Sequence, residues 1–205
     1  MTGVMTQVMS NRTRPREELR DRLYEASITL FRNKGYAAAT VDEIVAGAGV
    51  AKGTFFNFFP TKLHVLRAYY GALDAEIAGC RASLDPTRPL DALDRFAEQV
   101  EQILRREDAL LLELIEMALS HPAMRALDED SGSMDIDEFA AFLQAAAGCG
   151  AIQPDLDWPA AAAALTDLWS GAMRAWRRDP QGQSLEALFG SRARLLFSGL
   201  ARQRR

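Results

Sequence analysis

Between Thr40 and Lys62 the chain reads TVDEIVAGAGVAKGTFFNFFPTK, and its polar side chains suit the holding of phosphates and base edges rather than bond-making chemistry. Lys52, Gly53 and Thr54 supply a cation, a residue without a side chain and a hydroxyl, which together permit close approach to a nucleic-acid backbone. Asn57 adds a side-chain amide on the same short segment. Positioning them requires two helices. Thr40 precedes an apolar run and Glu43 follows three residues later, the pattern of a capping box, so a helix is predicted from Val41 with Val41, Ile44 and Val45 buried. Gly49 falls where the chain must turn sharply, in a conformation that strains a side chain. A second helix is predicted from about Ala51 to Phe58, ended by Pro60. Two short helices around a glycine turn are the layout of a helix-turn-helix DNA reader.

The FFNFF cluster is mostly core, yet four phenylalanines in residues 55–59 cannot all face one way on a helix. Phe55 and Phe59 are predicted inward. Phe56 or Phe58 is left for the DNA surface, since an apolar ring exposed without a partner is a liability.

This stretch and the helices flanking it resemble the DNA-binding domain of the TetR family of transcriptional regulators over roughly residues 16–66. The resemblance rests on an ordered set: a long helix, Lys34-Gly35-Tyr36, the Thr40 cap, Ile44, Ala48-Gly49-Val50, Gly53-Thr54, Phe59 and Lys62. It implies an all-α protein: a three-helix reader whose third helix enters the major groove, and a fourth helix leading into a larger ligand-binding and dimerisation domain. The expected DNA contacts are then Thr40, Lys52, Gly53, Thr54, Phe56, Asn57 and Lys62. Ala51, Phe56 and Phe58 stand where the family commonly has Ser or Thr, Tyr, and His. Backbone affinity therefore leans more on charge.

Charge is distributed to match. Residues 1–66 carry nine Lys and Arg against six Asp and Glu, leaving seven net negative charges on the remainder of a chain whose total is −4. DNA binding needs local cations rather than a basic whole. Arg12 and Arg14, with Arg16 at the junction, belong to a polar stretch expected to be a flexible arm over residues 1–15, ahead of the reader at 16–62 and a helical body at 63–205. Such an arm either follows the DNA backbone or minor groove, or is a solubilising tail.

A chain of 205 residues that is 48% hydrophobic can bury a sizeable core. No apolar run approaches the roughly 18 residues needed to span a bilayer, and no signal-peptide core begins the sequence, so the expected location is the cytoplasm, away from membranes. Cys80 and Cys149 are expected to be buried apolar residues. With His64 and His121 as the only histidines, no nucleophile elbow and no phosphate-cradling loop, enzymatic, metal and cofactor chemistry lack their parts. His64 is expected to face solvent. A helical adaptor that binds only protein leaves the Thr-capped helix pair and the basic head unexplained.

About nine helices are expected in all. Leu63, Leu66, Tyr69, Tyr70, Leu73 and Ile77 mark a fourth, and Leu90, Leu93, Phe96, Val100 and Ile103 or Leu104 a fifth. Ala109–Leu119 reads as a helix buried in a bundle, whose Glu113 or Glu116 either lines a cavity or joins an ion pair. Residues 128–137 read as a loop, too poorly registered for a calcium site. Phe139, Phe142 and Leu143 begin a seventh helix, stopped at Gly148-Cys149-Gly150. Asp157 caps an eighth that ends before Pro180, and Ser184 starts the ninth.

In the family the last two helices form a four-helix dimer interface, which puts Leu165, Leu168, Ala172, Trp176, Leu188, Leu195 and Leu196 between subunits. The expected protein is a homodimer whose paired reading helices, about 34 Å apart, fit successive major grooves of a palindromic double-stranded operator. A small apolar effector, held among Phe96, Val100, Glu113, Met117, Phe142, Trp169 and Met173, would change that spacing and relieve repression.

Overall fold

The computed structural model describes residues 3–106 and 122–200, with side chains at 15–106, 122 and 136–198. Its regular structure among these residues is helical: α1 (Gly3–Lys34), α2 (Val41–Ala48), α3 (Lys52–Phe58), α4 (Lys62–Ala82), α5 (Pro89–Arg105), α6 (Pro122–Gly148), α7 (Trp158–Arg178) and α8 (Leu185–Leu200). The helix expected at 109–119 lies outside the described residues.

The chain divides into two compact units, with the boundary between Ala72 and Leu73. It falls inside α4 rather than at residues 62–63, because Val65, Leu66 and Tyr69 on the first turns of α4 are buried. In the amino-terminal unit α2 packs on both α1 and α3. Leu23, Ile28, Phe31, Ile44, Phe55 and Phe59 are all at most 3% exposed, and each such side chain contributes about 1.5–3 kcal/mol of transfer free energy. In the second unit α5 packs along α8, and α7 packs on α6 and α8.

Two expectations about helix ends are corrected. Residues 128–137, expected as a loop, lie within α6, where Asp, Ser and Gly each cost no more than about 1 kcal/mol. The helix's one proline is Pro122, at its first position, where no donor is lost. Likewise α1 begins at Gly3, so the segment expected as an arm is helical and passes through Pro15, which forgoes one backbone hydrogen bond. Cys149 is exposed rather than buried, because it occupies the turn closing α6, where Gly150 has φ 75°. Cys80 is half-buried, and that burial, with Glu76 nearby, pushes its thiol pKa up.

Candidate nucleic-acid interface

Local chemistry at the start of α2 sets the frame. Thr40 is extended (φ −111°, ψ 152°); its hydroxyl oxygen accepts from the Glu43 amide at 3.3 Å, while Glu43 accepts from the Thr40 amide at 3.1 Å and the Thr40 hydroxyl at 2.8 Å. Lys34 Nζ also donates to Glu43, at 2.5 Å, tying the end of α1 to this cap. These donors hold the Glu43 carboxyl at a pKa of about 2. The Thr40 proton is thus committed to the cap.

At the other end of α2, Gly49 adopts φ 66° and ψ 40°; its amide meets the Ala46 and Val45 carbonyls, and the Val50 amide donates to Val45. This is a glycine-terminated helix end. Arg22 on α1 donates to the Ala48 carbonyl at 2.5 Å, so α2 is held at both ends by cations of α1.

The turn delivers α3 with a sharp division of faces. Phe55 and Phe59 point inward with ring centroids 5.7 Å apart, whereas Lys52, Gly53, Phe56 and Asn57 are exposed and Thr54 is half-exposed. Phe56 is 45% exposed, and its ring is braced edge-on against Phe55. A Cβ built on Gly53 would meet nothing within 4 Å, so the fold itself does not demand glycine there. Lys52 pairs with Asp42 at 2.8 Å, both side chains more than half exposed. Such a pair is worth little and exchanges readily for another anion.

Lys62 departs from the expected phosphate contact. Its ammonium donates to the carbonyls of Tyr36 (2.6 Å), Ala37 (3.1 Å) and Ala39 (2.9 Å) and lies 4.4 Å from the Tyr36 ring centre. Three protons meet three acceptors, so Lys62 fastens α4 to the α1–α2 connection instead of reaching outward. His64 Nδ1 lies 3.0 Å from the Thr61 hydroxyl at the same helix start. Arg16 lies on α1, with its guanidinium 5.7 Å from the Phe58 ring centre, and Arg20, one turn on, stands 5.6 Å from that of Phe59. The side chains of Arg12 and Arg14 lie outside the described residues.

In the second unit, Phe96, Trp169 and Phe189 stack ring on ring, with Phe96 and Trp169 centroids 4.7 Å apart. Val100 and Phe142 are also buried, and Met173 is half-buried. Glu113 and Met117 lie outside the described residues. Phe96 also borders an open hollow of about 130 Å³ with Cys80, Asp85, Arg95 and Gln99.

Of the expected dimer contacts, Leu165, Ala172 and Trp176 are corrected to core positions. With Trp169 they form the inner stripe of α7 and are at most 5% exposed within one chain. Leu168, Leu188 and Leu196 are half-exposed, and Leu195 is 76% exposed.

Sequence reasoning missed Glu101. Buried on α5, it accepts from the Leu185 amide at 2.6 Å and from Arg105, while Arg105 donates to the Pro180 carbonyl. Its only signal was the four-residue spacing to Arg105. Asp94 pairs with Arg194 at 2.8 Å, which requires Gly190, since a Cβ there would fall 2.0 Å from the Asp94 carboxylate.

A capped helix, a left-handed glycine turn and a short helix with one open polar face define a helix-turn-helix module. Residues 23–69 match the family model described as bacterial regulatory proteins, TetR family. The repressor KstR of Rhodococcus jostii is 28% identical over 163 residues, 78% of this chain and 73% of that protein. The regulator CymR of Pseudomonas putida is 31% identical over 111 residues, 53% of this chain and 55% of that one. Among solved structures, Thermus thermophilus FadR, a TetR-family repressor in complex with lauroyl-CoA, superposes with a TM-score of 0.64 at 26% identity, covering 91% of this chain and 97% of that one. A TetR regulator from Haloarcula marismortui shares the fold, with a TM-score of 0.71 at 17% identity over 90% of this chain and 98% of that one. Residues 23–69 thus carry a TetR-family DNA-binding domain, and over most of its length the chain is similar to TetR-family transcriptional regulators. Among the described residues no helix is long and apolar enough to cross a membrane.

Proposed function

We propose that the protein is a repressor that binds an inverted-repeat operator as a homodimer and is released by a small apolar ligand. The observation that carries this reading is the open face of α3, where Lys52, Gly53, Phe56 and Asn57 are presented together while Phe55 and Phe59 anchor the helix from behind. Leu195, with Leu188 and Leu196, supports pairing through α8, because an exposed apolar row favours burial against a copy of itself. The lauroyl-CoA complex of FadR supports an apolar ligand. The hollow beside Phe96 is smaller than the roughly 300 Å³ at which ligand cavities begin, so a ligand entering at that point would have to part α5 from its neighbours. That is a means of shifting a population of conformations.

Selection of bound duplexes from random sequence by the full chain tests the proposal. Recovery of an inverted repeat with half-sites about one helical turn apart is the expected result. Recovery of an unpaired half-site bound by single subunits would contradict the dimer.

A further inference from the structure

Most cations of the amino-terminal unit that lie near α2 and α3 are already engaged by protein acceptors. Lys34 is held by Glu43, Lys52 by Asp42, Lys62 by three carbonyls and Arg22 by the Ala48 carbonyl. Arg16 is different. It is exposed, and among the described residues its guanidinium has a ring beneath it, Phe58 on the reading helix, but no carboxylate or carbonyl partner. Arg20, four residues on and therefore on the same face of α1, lies over Phe59, its nearest carboxylate being that of exposed Asp21 at 3.6 Å.

Two guanidiniums at this spacing repel by a few tenths of a kcal/mol unless an anion lies between or beside them. The chain places that arrangement against α3, the helix whose open face carries Lys52 and Asn57. A guanidinium lying on an aromatic ring keeps the donors along its edge available, and its planar fork matches two phosphate oxygens. The stack also removes rotamer freedom before binding, so less entropy is lost when the anion arrives. Phe58 here occupies the half-exposed position of a shelf rather than a core residue.

We propose that Arg16, laid on the Phe58 ring, is a phosphodiester contact for duplex DNA, with Arg20 on Phe59 strengthening the same anion site. Phe58 acts through Arg16 as a positioning residue. α1 thereby supplies from beside the reading helix an anion contact that α3 itself, with phenylalanine at 58, does not carry. The inference rests on the DNA-binding reading above.

The test is a fluorescence-anisotropy titration across salt concentration, using full-length protein and a duplex that the wild-type chain selects from random sequence. Arg16→Gln is expected to weaken binding about tenfold and to lower the log–log salt slope by about one unit per subunit, because one cation no longer releases a counterion. Phe58→Leu keeps the cation, so affinity falls about threefold to tenfold with the slope unchanged. The double variant should bind no more weakly than Arg16→Gln alone. Arg16 is exposed and Phe58 is half-buried, and thermal melting checks that each variant is folded. A wild-type salt slope for Arg16→Gln, or additive losses in the double variant, would overturn the inference while leaving the regulator reading intact. Failure of the wild-type chain to bind any duplex at low salt would remove both.

Discussion

The amino-terminal unit and the helical body hold their helices by different kinds of contact. In the first, cationic and hydroxyl side chains grip helix ends and exposed carbonyls: Arg22 on Ala48, Lys62 on residues 36–39, Thr40 and Glu43 on each other. The longest of these spans 26 residues of sequence. In the body the ties are aromatic stacking and polar links between distant segments, a buried one from Glu101 to Leu185 across 84 residues and an exposed one from Asp94 to Arg194 across 100. A reader built on local caps can be small and rigid while leaving one helix face open. A body closed by long-range packing responds as a whole when one element is displaced, which suits a ligand-sensing domain.

Breaking the body's side of this contrast should give the largest effect. Phe96→Ala removes a ring that touches Trp169, Phe139 and Phe189, and is expected to cost about 3–5 kcal/mol in urea unfolding. Next comes Lys62→Met, which leaves three carbonyls without their cation. A loss of about 2 kcal/mol is expected, with faster amide exchange around Ala37–Ala39. Its DNA affinity should fall without a change in salt slope; a slope reduced by one unit would restore Lys62 as a phosphate contact. Gly53→Ala separates fold from function more finely. Open space awaits the methyl group, so the melting temperature should hold or rise, while DNA affinity drops about tenfold if the backbone approaches closely.

The smallest effect is the pH dependence of the Glu43 cap. Its folded pKa of about 2 lies below the reference value of 4.5, so its contribution is present above pH 4.5 and fades as pH falls towards 2. The stability difference between wild type and Glu43→Gln should therefore be flat from pH 7 to about 4.5 and shrink below it. A difference that grows on acidification would contradict the cap's assignment.

These regions were unequally legible in the sequence for the same reason that they differ physically. The Thr40–Glu43 box, the Gly49 turn and the inward pair Phe55 and Phe59 depend on spacings of three to five residues, and the structure shows each of them. The tie made by Lys62 is not legible, because its acceptors are the backbone carbonyls of Tyr36, Ala37 and Ala39, which no residue type advertises. Leu165, Ala172 and Trp176 are not told apart from interface residues by periodicity, because α7 is apolar over much of its circumference and the pattern alone does not say which stripe α6 and α8 cover. Gly190 had no signal until the Asp94 carboxylate was found against it, 2.0 Å from where a Cβ would lie. The acidic stretch at 128–137 is loop-like by composition alone, and the continuity of α6 overrides that composition.

The central claim is that the open face of α3 meets DNA, and Asn57→Asp tests it most directly. The side chain is exposed and makes no contact that the fold depends on, so the melting temperature should not change. A carboxylate there would face phosphates, and anisotropy titration on the selected duplex should show affinity reduced by at least about tenfold. Wild-type affinity in a folded Asn57→Asp protein would show that DNA meets some other surface.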